Sequence, residues 1–287
     1  MTKPGQRPDN TATNRRTMEE TTPPGGGGHR QGPGQGRQRQ GFLTALYFRL
    51  AFYFCLAVFG ISCLAWSLPA SLVYLLLPPG PARRHGQRVG QFGIAYGFRW
   101  SLWVMRMTGV LRADLRALDA LRHEPGLVIA ANHPTMLDAV LLISRLPKVV
   151  CITKAALWDS LFLGGGIRLA GYVRNDAPLA MIRDAAEAVR RGRQLMIFPE
   201  GSRTAVPPVD PMHRSFAVMA SAARAPVQTV LIEADNPYLS KSWPLLRPPV
   251  LPLVFRVRLG RRYEVGADSQ AFLERLEDYF RAELAPA

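Results

Sequence analysis

His133 and Asp138 stand in the stretch Ala131-Asn-His-Pro-Thr-Met-Leu-Asp138, a His-x4-Asp spacing. A second stretch, Phe198-Pro-Glu-Gly-Ser-Arg-Thr204, puts a carboxylate, a glycine and an arginine side by side. A carboxylate accepting from one imidazole nitrogen fixes the ring tautomer and leaves the other nitrogen able to take a proton. Neither serine nor cysteine stands in the His133 loop. The chemistry indicated is therefore general-base deprotonation of a hydroxyl that the substrate brings. Pro134 disfavours the α region at His133, placing the histidine on a loop. Thr135 is a suitable N-cap for a helix from Thr135 to Arg145, and Asp138 in its first turn can reach back to the ring. A plainer role for Asp138 is a capping box with Thr135 that offsets the helix dipole. No third or fourth ligand stands near the pair, so no metal is expected.

Each stretch follows an apolar run with the character of a buried strand, Gly126–Ala131 and Gln194–Phe198. In an α/β sheet the loops leaving the carboxyl ends of parallel strands gather at one edge, where ligands bind. If the two strands are parallel neighbours, the histidine and the Glu-Gly-Ser-Arg loop face one crevice. The remaining pattern alternates. Strands are expected at Val149–Thr153, Val227–Glu233 and Leu253–Arg258, and helices at Leu179–Arg191, His213–Arg224 and Ser269–Leu284. The segment Lys154–Gly171 reads as irregular and helical. The fold class is α/β, a mostly parallel central sheet flanked by helices.

These motifs together resemble the PlsC-type glycerolipid (lysophosphatidate) acyltransferase family. His133 and Asp138 match its His-x4-Asp motif, and Phe198–Thr204 its Phe-Pro-Glu-Gly-Thr-Arg-Ser block. Gly171-Tyr-Val-Arg174 is similar to its Gly-x-x-Arg element, and Ala225-Pro-Val227 keeps one proline of its apolar two-proline segment. Ser202, Ser215 and Thr229 depart from the pattern. The resemblance covers roughly Val110 to Gly260. It implies that His133 takes the proton from an acceptor hydroxyl attacking an acyl thioester, and that Asp138 holds the ring. It also implies an acceptor site lined by Glu200, Gly201, Ser202, Arg203, Gly171 and Arg174, with Arg203 and Arg174 on an anionic head group. An arginine fork suits phosphate oxygens, and Gly201 permits close backbone approach. No cofactor is implied; acyl-CoA or an acyl carrier protein serves as co-substrate.

The chain of 287 residues carries a formal net charge of +15 with 48% hydrophobic residues. That charge calls for an anionic partner, and in the absence of any nucleic-acid motif a lipid surface is expected rather than nucleic acid. Residues 1–41, rich in Gly, Pro and Arg, are expected to form a disordered tail. Residues 42–80 read as a membrane anchor. Leu50–Leu77 has no formal charge, exceeds the ~20 residues needed to span, and Pro69 can kink it or split it into a re-entrant hairpin. Residues 81–110 read as an interfacial amphipathic helix. Arg84, Arg88, Arg99 and Arg106 share one stripe, and Phe92, Tyr96, Trp100 and Trp103 the next; the alternative is that these aromatics pack on the catalytic domain. Residues 111–287 are expected to form the acyltransferase domain that the resemblance implies. Cys55, Cys63 and Cys151 read as buried thiols.

The expected function is a membrane-bound O-acyltransferase, lysophosphatidate being the default acceptor, at the inner membrane with its catalytic domain on the cytoplasmic side. Two alternatives stand beside it. One is acylation in a specialised pathway, such as that of an aryl polyene or polyketide-like lipid. The other is a membrane-tethered binding module without chemistry.

Overall fold

The computed structural model describes residues 34–266 and 268–285, with side chains described from Gly41 onward. Seven strands form one sheet in the order β1-β7-β6-β2-β5-β3-β4. They are β1 (Leu111–Asp114), β2 (Val128–Ala131), β3 (Val149–Thr153), β4 (Val173–Arg174), β5 (Gln194–Ile197), β6 (Val227–Ala234) and β7 (Leu253–Tyr263). Every adjacent pair is parallel except β6 and β7. The central strands β2 and β5 are buried along their whole length, as expected where helices cover both faces. In β7, Leu253, Phe255 and Val257 are buried while Val254 and Arg256 are exposed, an alternation that leaves one face at the edge to solvent. The edge strand β1 and the two-residue β4 were not anticipated: Leu111-Arg-Ala-Asp114 of β1 lacks the apolar run that marks β2 and β5 at the same length, and β4 is too short to give a pattern.

Around the sheet lie α1 (Gly34–Leu76), α2 (Pro81–Met107), α3 (Leu137–Arg145), α4 (Ala155–Trp158), α5 (Gly164–Ala170), α6 (Pro178–Arg190), α7 (Arg214–Ala223) and α8 (Ser269–Leu284). The helix α1 runs unbroken through Pro69, so the hairpin that this proline could have produced does not form. It begins at Gly34, inside the segment expected to be a disordered tail; the rest of that segment, residues 1–33, lies outside the described residues. Gly41–Leu76, at 36 residues, is long and apolar enough to cross a membrane. One stripe of it nevertheless packs on the protein: Ala51, Phe52, Cys55, Ser67 and Ala70 are buried.

That packing depends on glycines whose role was not read in the sequence. A methyl at Gly90 of α2 would collide with the Ala170 backbone of α5, one at Gly165 with the Ser67 carbonyl of α1, and one at Gly93 with the Trp66 indole. The backbones therefore approach closely, and the Ser67 hydroxyl accepts the Gly165 N–H at 3.0 Å. On α2, Gly86, Gly90, Ile94, Ala95, Phe98 and Leu102 are buried, the face that carries the Gly90 contact with α5. Tyr96, Trp100 and Trp103 are left about half-exposed and Phe92 less so, so the aromatic row is not buried against the domain, while Arg84, Arg88 and Arg106 are exposed. Arg99 turns inward instead, donating through Nε and Nη2 to the Ser144 carbonyl at 3.2 and 2.8 Å.

Candidate active site

β2 and β5 are parallel neighbours, with Val128 opposite Leu195 and Ala130 opposite Ile197, so their carboxyl-end loops leave the sheet side by side. The loops are tied together through the backbone of His133. Its N–H donates to Glu200 Oε1 at 2.8 Å, and its carbonyl accepts the Thr204 N–H at 2.8 Å. The imidazole lies flat on the Phe198 ring, with centroids 3.9 Å apart and planes 14° from parallel. Asn132 anchors the loop from the other side: its amide donates to the Ile232 carbonyl at 2.9 Å and accepts the Ile232 N–H at 2.7 Å. It thus extends the pairing of β2 with β6 by one side chain.

His133 Nδ1 lies 2.9 Å from Asp138 Oδ2. That oxygen also accepts the Thr135 N–H at 2.8 Å, and Oδ1 accepts the Thr135 hydroxyl at 2.8 Å. With Thr135 supplying donors, the ring N–H is the third donor and Nδ1 carries the proton. Nε2 is left with its lone pair and, among the described residues, no protein partner. The histidine side chain is 16% exposed while that of Asp138 is fully buried. Burial raises the Asp138 pKa, and the hydrogen bonds from His133 and Thr135 oppose that rise. Helix α3 starts at Leu137 with Met136 as its N-cap, two residues later than expected. Thr135 is drawn off to Asp138, although its hydroxyl still accepts the Leu137 N–H at 3.2 Å. The brace and the ring contact are thus made by the same carboxylate.

The remaining site candidates divide. Glu200 is 2% exposed and does not line an open surface. Besides the His133 N–H it accepts the Asp210 N–H at 2.9 Å and the Thr204 hydroxyl at 2.7 Å, both on Oε2. Burial raises its pKa against the pull of these donors. Arg203 Nη1 donates to the Leu239 and Ser240 carbonyls at 2.9 and 2.8 Å. The same Leu239 carbonyl accepts the Met136 N–H, so this loop meets both motifs. Arg203 Nε and Nη2 remain without a protein partner among the described residues. Gly201 holds φ at +66°, and a side chain there would strike the His213 ring. Ser202 is half-buried, its hydroxyl 3.3 Å from the Arg203 carbonyl.

Arg174 and Gly171 lie elsewhere. Arg174 is on β4, three strands from β2, roughly 14 Å across the sheet at the usual strand spacing. Its guanidinium is occupied by Asp176 at 2.6 Å and Asp159 at 3.2 Å. Gly171 closes α5 in the left-handed conformation and packs on Gln87. Sequence reasoning missed Asn132, Phe198 and Asp210 as positioning residues. Asn132 and Phe198 do stand inside the two motifs, but their roles depend on neighbours distant in sequence. Among the described residues no group of three or more His, Cys, Asp or Glu side chains is placed to hold a metal ion.

Residues 112–233 match the family model described as Acyltransferase. The chain is 29% identical over 197 residues to human 1-acyl-sn-glycerol-3-phosphate acyltransferase beta, covering 65% of this chain and 66% of that protein. It is 24% identical over 206 residues to the 1-acyl-sn-glycerol-3-phosphate acyltransferase of Limnanthes alba, covering 69% of each. Among solved structures it resembles the 1-acyl-sn-glycerophosphate acyltransferase PlsC of Thermotoga maritima, with a TM-score of 0.59 at 18% identity. That match covers 84% of this chain and 95% of the other, and bears on the fold.

Proposed function

From the PlsC-type glycerolipid acyltransferase family, to which this chain belongs, we propose that it moves a fatty acyl group from a thioester to a lipid hydroxyl. The observation that carries this reading is the partly exposed His133 ring, held by Asp138 at Nδ1. In the step, Nε2 takes the proton of the acceptor hydroxyl as the oxygen attacks the thioester carbonyl. The new C–O bond forms, the C–S bond breaks, and the departing thiolate receives that proton to leave as the thiol of CoA or of an acyl carrier protein. Attack by the acceptor itself is supported by the lack of a rival nucleophile: neither a serine nor a cysteine is hydrogen-bonded to His133 among the described residues, and the Cys151 thiol is buried with its pKa pushed well up. Asp138 is a positioning residue that keeps the tautomer and stabilises the imidazolium.

Lysophosphatidate is the acceptor we favour, as the named substrate class of the relatives. The free Nε and Nη2 of Arg203, beside the His133 loop, suit its phosphate. Glu200 acts through the backbone of His133, Thr204 and Asp210, not on the acceptor. Work on a lipid hydroxyl fits a membrane location, with α1 and the aromatic face of α2 as the apolar contact and the catalytic domain on the cytoplasmic side of the inner membrane. The test is the purified full chain assayed for thiol release and acylated product with acyl-CoA and acyl carrier protein donors against a panel of lysolipids. Phosphatidate formation from lysophosphatidate is the expected result. Thioester hydrolysis without acylation of any acceptor would reject the reading.

A further inference from the structure

A cleft of about 510 Å³ lies along the edge strand β1, and five arginines line it: Arg106, Arg112, Arg116, Arg145 and Arg256. Since β1 is three strands from β2, the cleft is offset from the His133 loop by roughly 14 Å across the sheet and is separate from the acyl-transfer site. Three of the five have a carboxylate within reach: Arg116 with Asp114 at 3.8 Å, Arg145 with Asp119 at 3.4 Å, and Arg256 with Glu233 at 3.8 Å. Arg106 and Arg112 have none among the described residues, and both are exposed. The cleft thus holds uncompensated positive charge presented by guanidinium forks, the geometry that grips phosphate oxygens.

Arg106 also fixes where the cleft opens. It sits on the last turn of α2, between Trp103 and Met107, which are 51% and 68% exposed. The arginine cleft is therefore continuous with the exposed aromatic face of α2. Indole rings beside guanidiniums are the pairing found where apolar chain meets phosphate at a bilayer surface. We propose that this cleft is a binding site for the phosphodiester head group of an anionic phospholipid, taken from the membrane surface and distinct from the acceptor undergoing acylation. The assignment goes beyond acyl transfer and rests on the reading above only in placing the α2 face at a bilayer. An acidic carrier protein would also meet positive charge here, but it would have no use for the adjoining apolar rings.

The test reconstitutes the full chain in phosphatidylcholine vesicles and follows tryptophan quenching by brominated phosphatidylglycerol against brominated phosphatidylcholine. The wild type is expected to prefer phosphatidylglycerol. Arg106→Gln and Arg112→Gln should each lower that preference by about fivefold, the usual contribution of one basic residue near an anionic surface. Quenching by the brominated phosphatidylcholine should stay as in the wild type, which also shows that the variants are folded and seated. Equal preference in wild type and double variant would overturn the proposal. So would displacement of the lipid by millimolar inorganic phosphate at constant ionic strength, which would mark a free-phosphate site. An unchanged lipid preference with a raised KM for the carrier-protein thioester would make the cleft a protein-docking face and overturn it too. Loss of quenching by both lipids would sink the bilayer placement itself, whereas quenching by both alike would sink this inference alone.

Discussion

Glu200→Gln separates a residue that touches the acceptor from one that holds the His133 loop. Glu200 takes three donors on two oxygens: the His133 N–H on Oε1, and the Asp210 N–H with the Thr204 hydroxyl on Oε2. Glutamine has one acceptor oxygen. Whichever way the amide turns, an NH2 group faces a backbone N–H, either that of Asp210 or that of His133. Leaving one buried donor unsatisfied costs about 1–3 kcal/mol. For a domain of this size that lowers Tm by several degrees, at about 2–4 °C per kcal/mol. The pH dependence has a definite sign. Burial raises the Glu200 pKa, so the native chain holds this proton more tightly than the unfolded chain does. The stability this contributes is present below the ordinary glutamate range and is lost as pH rises through the native pKa. The glutamine variant lacks that loss, so its deficit against the wild type should narrow as pH rises. Urea unfolding at several pH values reads the stability, and steady-state kinetics reads the role. If Glu200 positions His133 through its backbone, kcat falls and the acceptor KM stays near wild type. A raised acceptor KM with kcat and stability unchanged would refute the reasoning and put Glu200 on the substrate.

Asp138→Asn should lower kcat by on the order of 10²–10⁴, the range that a positioned base contributes, because an amide can favour the wrong imidazole tautomer; the pH–rate profile measures it, and an unchanged profile would argue against the pairing. Arg203→Lys keeps the charge but places its ammonium short of the position of Nη1, which donates to both the Leu239 and Ser240 carbonyls, and removes the free Nε and Nη2 donors, so the two carbonyl bonds should lengthen and weaken. Chemical unfolding should show a loss of about 1–3 kcal/mol, and the KM for a phosphorylated acceptor should rise. Gly90→Ala pushes a methyl into the Ala170 backbone and should cost about 1–3 kcal/mol by thermal unfolding, with kcat of the folded fraction preserved.

The placement of the two motif loops was more legible than the helical scaffold around them. The His133 loop could be placed because Pro134 and the apolar run before it act locally, and the two motifs could be set face to face because parallel strands send their carboxyl ends to one edge. What Glu200 and Arg203 touch could not be read in the same way. Their partners are backbone groups of His133, Asp210, Leu239 and Ser240, and a backbone group leaves no mark on residue type. The glycines of α2 and α5 show the opposite difficulty. Gly86, Gly90, Gly164, Gly165 and Gly166 are plain in the sequence, yet they read as breaks in helical propensity until α1, α2 and α5 are seen to meet. That close approach, not the arginine and aromatic stripes, decides which face of α2 turns inward. Thr135 likewise has the residue type of an N-cap, but the buried Asp138 carboxylate draws its N–H and hydroxyl away and the helix starts later.

If His133 Nε2 removes the hydroxyl proton, His133→Ala in the purified full chain should reduce acceptor-dependent thiol release from an acyl thioester by at least about 100-fold, while circular dichroism still reports a folded chain at the assay temperature. Near-wild-type turnover in that variant would contradict the proposed mechanism at its centre.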